Sequence, residues 1–140
     1  MLKAMAAAAK PSVHLGNMTF AWSQASTFVN DAIAKQMMDA FVAGSGVFFD
    51  TARIYANGKS EEMTGRIISK SPAKYAGLSV ATKAHPSQPG GLSEEGIRGQ
   101  LKASLEVGSR VCHVFLMKKS YLSKRASFSQ FHFRLSKCPR

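Results

Sequence analysis

Three side chains that could take part in proton transfer follow two short apolar runs of the sequence. Asp50 and Tyr55 come after residues 47–49, and Lys83 comes after residues 78–82. A phenol with its ordinary pKa of about 10 is a poor proton donor at neutral pH. A nearby ammonium group lowers such a pKa because it stabilises the phenolate, and a carboxylate can hold a buried ammonium group in place. Residues of these three types could therefore protonate an oxygen atom on which negative charge develops.

Each of the three residues also has an ordinary structural interpretation. An aspartate after a strand often caps the following turn. A loop tyrosine is often half-buried packing, and a lysine is usually solvated. The residue types alone therefore leave both interpretations open.

Strand and helix patterns alternate along the chain. The strand candidates are residues 13–22, 47–49, 78–82 and 111–116, and we expect the second of them to be buried on both faces. Helices are expected at about 29–43, from Ser60 to about Lys70, and after Ser93. This alternation is typical of βαβ units with right-handed connections and a parallel sheet. Periodicity does not distinguish an open sheet from a closed barrel.

Capping residues and apolar spacing define the expected helix ends and inner faces. Ser26 or Asn30 could cap the first helix and Gly44 could end it, whereas Ser60 and Ser93 are the expected caps of the other two. Glu61 and Glu62, like Glu94 and Glu95, fall in a first turn, where the helix dipole favours negative charge. Pro72 prevents continuation of the second helix. The expected inner faces are Val29, Ile33, Met37 and Phe41, then Met63 and Ile67, then Ile97, Leu101 and Leu105.

Several runs of the sequence resemble the aldo-keto reductase family. FDTARIY, at 49–55, is similar to the family signature, which has Asp-Thr-Ala and then Tyr at the third further position. NGKSEEMTG continues it with Ser-Glu and Gly65. LGNMTFAW and VATKAHP look like the first and third barrel strands, and GLSEEGIRGQLKASLE looks like the helix before the fourth. The resemblance covers about residues 15–116, and the TKA-x-P run is closest to the aflatoxin-aldehyde-reductase-like members.

The resemblance implies a fold and a chemistry. The fold is an α/β, incomplete (β/α)₈ TIM barrel at residues 13–117, with about three βα units and a fourth strand. The family reaction is the reduction of aldehydes and ketones to alcohols by hydride transfer from NADPH, in the cytoplasm. Tyr55, Lys83 and Asp50 match its catalytic residues, and Asp50 also matches a cofactor-binding one. Lys118 stands where the family has a histidine, since His113 lies five positions too early.

The second half of the barrel, which holds the phosphates of the cofactor after strands 7 and 8, is not in the sequence. We therefore expect a chain that is inactive on its own and lacks most of the NADPH site. Four strands cannot close a ring, so an open edge is expected to favour self-association.

Charge and composition suggest one alternative. Residues 1–117 carry 12 basic and 8 acidic side chains, whereas residues 118–140 carry 7 basic and none acidic, within a net charge of +11. We expect a flexible N-terminus at 1–12 and a basic, Ser/Phe-rich, poorly ordered tail at 118–140, either genuine or a departure in frame or splicing. A non-catalytic fragment whose tail contacts nucleic acid or an anionic surface is the alternative, although the confinement of the charge argues against nucleic acid.

Cysteine usage and hydropathy exclude other classes of protein. Two cysteines suit a reducing compartment and give no metal-ligand spacing, so no metal site is expected. No apolar run is long enough for a membrane span.

Overall fold

Four short strands and three helices alternate along the described residues of the computed structural model, which are 13–107 and the backbone of 112–116. In chain order they are β1 (His14–Gly16), α1 (Asp31–Ala43), β2 (Phe48–Asp50), α2 (Lys59–Lys70), β3 (Ser79–Lys83), α3 (Glu94–Val107) and β4 (Cys112–Leu116). The strands form one parallel sheet in the order β1-β2-β3-β4. The predicted βαβ alternation and parallel pairing are confirmed.

The first strand is much shorter than predicted. β1 ends at Gly16, and residues 17–22 form turns in which the Phe20 amide donates to the Asn17 carbonyl at 3.1 Å. Ala21 has a left-handed backbone with φ of 57°, which a continuous strand cannot contain. Phe20 nevertheless belongs to the core, since it is fully buried and its backbone forms an isolated β-bridge with Val29, whereas Met18 is exposed.

The start of α1 follows the sequence, and its inner face follows it in part. Asn30 is the N-cap and accepts a hydrogen bond from the Ile33 amide at 3.0 Å, and Gly44 is the C-cap. Ala34 and Met38 are the buried residues of the helix, whereas Ile33 is exposed. The predicted stripe is otherwise confirmed, since Val29 is buried and Met37 and Phe41, which are partly buried, pack against the core.

The second helix begins one residue before the predicted cap. Gly58 is the N-cap of α2, and Ser60 lies in the first turn with its hydroxyl donating to the Phe20 carbonyl at 2.7 Å. Ser60 therefore links α2 to the turn after β1 instead of capping the helix. Met63 and Ile67 are buried as predicted, and the helix ends at Lys70, before Pro72.

Small and polar residues form the deeply buried face of α3. Ser93 caps the helix as predicted, since its Oγ accepts from the Gly96 amide at 3.1 Å. The buried positions are Gly96, Gln100 and Ser104, whereas the predicted face of Ile97, Leu101 and Leu105 is only half-buried. A Cβ at Gly96 would lie 2.3 Å from the carbonyl oxygen of Gly90, so a glycine is required where the loop after β3 crosses the helix.

The core lies between the sheet and the helices. Strand β2 contributes Phe49, which is fully buried, but Phe48 is only half-buried and stacks on the His14 ring. The prediction of a strand buried on both faces holds for Phe49 alone. Val47, which precedes the strand, is exposed. Within the part of the chain that the structure describes, no helix is both long enough and apolar enough to cross a bilayer.

Candidate functional site

Asp50 and Lys83 meet at the carboxyl edge of the sheet. Each is the last residue of its strand, β2 and β3 respectively, and these two strands pair in parallel. The Lys83 Nζ donates to the Asp50 Oδ1 at 2.6 Å and to the Thr51 carbonyl oxygen at 2.7 Å. The ammonium group is thereby held by one charged and one neutral oxygen, which fixes its direction.

Tyr55 reaches the same edge through the loop that follows β2. The loop is bonded to the sheet because the Arg53 amide donates to the Lys83 carbonyl at 3.2 Å. Within the loop, the Tyr55 amide donates to the Ala52 carbonyl at 3.0 Å. The Lys83 Nζ lies 5.3 Å from the centroid of the Tyr55 ring. The structure therefore brings all three predicted site residues together, with the cation within cation–π distance of the phenol.

The three side chains are accessible from outside. The Lys83 side chain is 25% exposed and that of Asp50 is 36% exposed, so the pair is neither sealed in the core nor fully solvated. Tyr55 lies between two clefts. The larger, of about 450 Å³, is lined by Met18, Trp22, Gln24, Asn57 and Lys59 among others, and the smaller, of about 230 Å³, is lined by Lys83, His85, Pro86 and Leu92 among others.

The loop that carries Tyr55 has an uncommon backbone. Ala56, Asn57 and Gly58 have φ values of 47°, 55° and 89° in succession, of which only the glycine adopts such values freely. Left-handed backbone at consecutive non-glycine residues costs free energy and is concentrated at binding and active sites. This observation agrees with a site at Tyr55 and was not predicted from the sequence.

The histidines contribute less than the three residues above. His85 lines the smaller cleft together with Lys83 and Tyr55. His113 lies in β4, paired with Val80, as expected for a strand residue. Lys118, which stands where the family has a histidine, lies outside the described residues.

A buried carboxylate beneath the site was not recognised as such from the sequence. Glu61 is 3% exposed and accepts hydrogen bonds from the side chains of Arg53, Thr82 and Ser104. Its position in the first turn of α2 was predicted, but its burial was not. The Ser-Glu pair at 60–61 was the one signal available, because it belongs to the run that continues the family signature.

Other polar groups near these strand ends do not form a metal site. Among the described residues, no three His, Cys, Asp or Glu side chains are grouped to hold a metal ion. The buried Oδ1 of Asn17 and Oγ1 of Thr51 have no hydrogen-bond partner in the same part of the chain. The arrangement offers a phenol that can donate a proton, an ammonium group that can stabilise the resulting phenolate, and a carboxylate that holds the ammonium group.

Comparison with known proteins agrees with this geometry. A sequence model of the Aldo/keto reductase family matches residues 12–108. A Bombyx mori aldo-keto reductase solved in complex with NADP has a TM-score of 0.52 and 22% identity, over 71% of this chain and 31% of that one. A holo-form aldo-keto reductase from Bacillus halodurans has a TM-score of 0.57 and 18% identity, over 76% and 35%.

A third structure, a thermostable aldo-keto reductase in complex with the inhibitor epalrestat, has a TM-score of 0.55 and 20% identity, over 69% of this chain and 34% of that one. The chain thus spans about a third of the length of these relatives. The predicted fold class, an incomplete TIM barrel, is confirmed.

Proposed function

Because this chain belongs to the aldo/keto reductase family, we propose that it carries the proton-donating part of an NADPH-dependent carbonyl reductase. Tyr55 is the proton donor, Lys83 stabilises its phenolate, and Asp50 orients Lys83. The observation that supports this proposal best is the Lys83 ammonium group, which is bonded to Asp50 at 2.6 Å and lies 5.3 Å from the Tyr55 ring.

These residues have separate tasks in the proposed reaction. When bound, the nicotinamide would supply the hydride that reaches the carbonyl carbon. The Tyr55 hydroxyl donates a proton to the carbonyl oxygen, where negative charge develops, so that an alcohol is released. The Lys83 ammonium stabilises the phenolate that remains. Asp50 and the Thr51 carbonyl prevent the ammonium from turning towards solvent.

A small carbonyl compound could reach Tyr55 through either adjoining cleft. The larger one, of about 450 Å³, lies within the usual range for small-molecule sites, about 300–1,000 Å³. Trp22 and Met18 give it an apolar wall, and Gln24, Asn57 and Lys59 give it a polar one. We therefore propose aldehydes and ketones as the substrate class.

The described residues fit only the reacting end of NADPH. Tyr55, Lys83 and Asp50 could meet a nicotinamide and a carbonyl group at the carboxyl edge of the sheet. Gly90 and Gly91, the paired glycines of this part of the chain, form a turn before α3 and are not followed by the Lys-Ser/Thr pair of a phosphate loop. We therefore propose that most of the binding free energy for the cofactor has to come from protein outside these residues.

The same consideration leads us to propose that the 140 residues alone do not turn over substrate. β1 and β4 are the outer strands of the described sheet, and outer strands carry unpaired backbone groups. We propose that a soluble form of the chain would cover such a strand edge by self-association. A sharp monomer peak in size-exclusion chromatography would count against self-association.

NADPH binding and carbonyl reduction test the main proposal. Nucleotide fluorescence would be titrated with the purified chain, and reduction of an aldehyde would be measured for the chain and for Tyr55→Phe, with Tyr75→Phe as the matched control. If an assembled site exists, binding is saturable, and Tyr55→Phe lowers turnover by about 10²–10⁴-fold, the usual contribution of a general acid. Turnover that is measurable and equally fast in Tyr55→Phe and in the control would refute the role of Tyr55, whereas turnover in none of the variants is the result expected if the 140 residues alone are inactive.

The basic segment 118–140 supports a second proposal, a non-catalytic fragment that contacts a polyanion. It carries 7 basic and no acidic residues, with three phenylalanines among them. Binding to single-stranded nucleic acid or to anionic vesicles should then weaken steeply with added salt. Unchanged binding after deletion of residues 118–140 would exclude this proposal.

A further inference from the structure

The carboxylate of Glu61 is the most deeply buried acidic group among the described residues. It lies in the first turn of α2 and is 3% exposed. Its Oε1 accepts from the Thr82 hydroxyl at 2.5 Å, and its Oε2 accepts from the Arg53 Nη1 at 3.1 Å and from the Ser104 hydroxyl at 3.1 Å. A buried carboxylate is tolerated when it is paired and hydrogen-bonded in this way.

Two of its three donors adjoin the proposed site in the chain. Thr82 directly precedes Lys83, and Arg53 lies between Thr51, whose carbonyl accepts from Lys83, and Tyr55. Successive side chains of a strand point to opposite faces. The Thr82 side chain therefore points towards the helices, whereas the Lys83 side chain points towards the site. A hydrogen bond that holds Thr82 in place also restrains the strand end that carries Lys83.

Arg53 forms a second link between the end of β3 and the loop after β2. Its amide donates to the Lys83 carbonyl at 3.2 Å, while its guanidinium reaches Glu61. The space for this guanidinium depends on Gly58, because a Cβ at that position would lie 2.8 Å from the Arg53 Nη1. The glycine that precedes α2 thus leaves room for the contact between Arg53 and Glu61.

We propose, on the basis of the function proposed above, that Glu61 is a positioning residue. Through Thr82 and Arg53 it holds the end of β3 and the loop after β2 in the register that places Lys83 against Asp50 and beside Tyr55. Ser104 anchors the same carboxylate to α3. Glu61 itself does not touch the reacting atoms and takes no proton in the reaction.

A charged carboxylate suits this position better than an amide of the same size. Thr82, Arg53 and Ser104 all present hydrogen-bond donors to Glu61. A carboxylate accepts at both oxygens, whereas an amide has one accepting oxygen and a nitrogen that only donates. In Glu61→Gln the amide nitrogen could still donate to the Thr82 hydroxyl, but the ion pair with Arg53 would be lost, and with it part of the restraint on the loop after β2.

Chemical labelling of Lys83 tests the proposal without nucleotide or substrate. The chain would be pulsed with a small amine-acylating reagent, and peptide mass spectrometry would compare Lys83 with the exposed Lys102 of α3 in the same molecule. Glu61→Gln should raise the relative labelling of Lys83 about fivefold, because the ion pair that restrains the loop beside Lys83 is lost. The matched control is Glu62→Gln, which removes the neighbouring carboxylate of the same turn and should leave the ratio unchanged.

Melting curves recorded beforehand give a temperature at which every variant is folded. Thr82→Val, which is nearly isosteric and removes only the hydroxyl bond to Glu61, replaces Glu61→Gln if that variant does not fold, and should raise the ratio by a smaller factor. An unchanged ratio in the folded variant would show that Glu61 stabilises the fold and does not position Lys83. The measurement uses the free chain without nucleotide or substrate, so its outcome does not depend on whether the chain binds NADPH or reduces a carbonyl compound.

Discussion

Two clusters built from aspartate, tyrosine and lysine lie at opposite ends of the described sheet. At the carboxyl end, Asp50 and Lys83 are paired beside Tyr55. At the amino end, Asp39 of α1 accepts a hydrogen bond from the Tyr75 hydroxyl at 2.5 Å and ion pairs with Lys35 and Lys74. Tyr75 belongs to the segment that leads into β3, and α1 leads into β2.

The two tyrosines differ in what surrounds their hydroxyl groups. Tyr75 is 1% exposed, and burial, reinforced by its bond to Asp39, raises the pKa of its phenol well above the ordinary value. That phenol keeps its proton. Tyr55 is half-buried, faces two clefts, and its hydroxyl has no hydrogen-bond partner among residues 13–107.

The same three residue types thus surround a buried, hydrogen-bonded phenol at one end and a half-buried phenol beside two clefts at the other. In α/β barrels the carboxyl ends of the strands carry the chemistry, and the amino ends contribute stability. The comparison shows that residue type does not assign a role. Two features distinguish the proposed proton donor from the tyrosine with a structural role. They are whether the hydroxyl already has a hydrogen-bond partner and whether a cavity adjoins it.

Truncation of each tyrosine should separate the two clusters most clearly. Tyr75→Ala removes a fully buried aromatic side chain, so we expect it to lower the free energy of unfolding by about 3–5 kcal/mol, the usual cost of such a cavity. Tyr55→Ala removes a half-buried ring at a cleft and should cost less than about 1 kcal/mol. Urea denaturation followed by circular dichroism would measure both.

Equal losses of stability in the two alanine variants would contradict the comparison, because they would place Tyr55 in the structural core. Phe41→Ala offers a further reference, since that half-buried ring packs on Phe49 and belongs to neither cluster. Its cost should fall between the two.

Removal of the Asp39 carboxylate, at the amino end of the sheet, should change the pH dependence of the free energy of unfolding. Hydrogen bonds from Lys35, then Lys74 and Tyr75, hold the pKa of Asp39 far below its ordinary value. A carboxyl whose pKa is lowered on folding stabilises the protein above its unfolded pKa of about 3.9, and this contribution is lost as the pH falls through the folded pKa. Asp39→Asn should therefore cost about 1–2 kcal/mol at neutral pH.

The difference between the chain and Asp39→Asn should shrink as the pH falls below about 4. Ala40→Gly is the matched control, because it lowers the stability of the same exposed helix surface by about 1 kcal/mol without changing a titrating group. A difference for Asp39→Asn that stays constant down to pH 2 would show that the bonds at Asp39 do not depend on its charge.

Local features of this fold were predictable because they depend on neighbours in the chain. Asn30 and Ser93 cap their helices through bonds to amides three residues on, and Pro72 ends α2 through its own ring geometry. Ser60 has the same residue type as Ser93, but its hydroxyl bonds to Phe20, 40 residues away in sequence. No local pattern distinguishes these two serines.

The proposed site shows the same limit. The family resemblance indicated Asp50 and Tyr55 in the signature and Lys83 in the third strand, and the structure brings them together. Glu61 was placed in a helix turn as a surface charge would be, yet its three donors lie 8, 21 and 43 residues away in sequence. Burial of a charged residue is decided by such distant donors, and sequence spacing does not contain them.

The hydroxyl of Tyr75 allows the smallest and most specific test of the comparison. Because the pKa of Tyr75 is raised on folding, mainly by burial, its neutral form stabilises the protein below the ordinary phenol pKa of about 10, and this contribution is lost as the pH rises above that value. Tyr75→Phe should therefore cost about 0.5–1 kcal/mol at neutral pH, and the cost should vanish above about pH 10.5.

Denaturant unfolding at a series of alkaline pH values would measure this difference, with Asp39→Asn as the background control. In that background the carboxylate is gone but Tyr75 stays buried, so the alkaline loss should be smaller and still present. Its complete disappearance would mean that the charge of Asp39, and not burial, keeps the proton on Tyr75. In that case the difference between Tyr75 and Tyr55 would depend more on the hydrogen-bond partner of the phenol than on how far the phenol is buried.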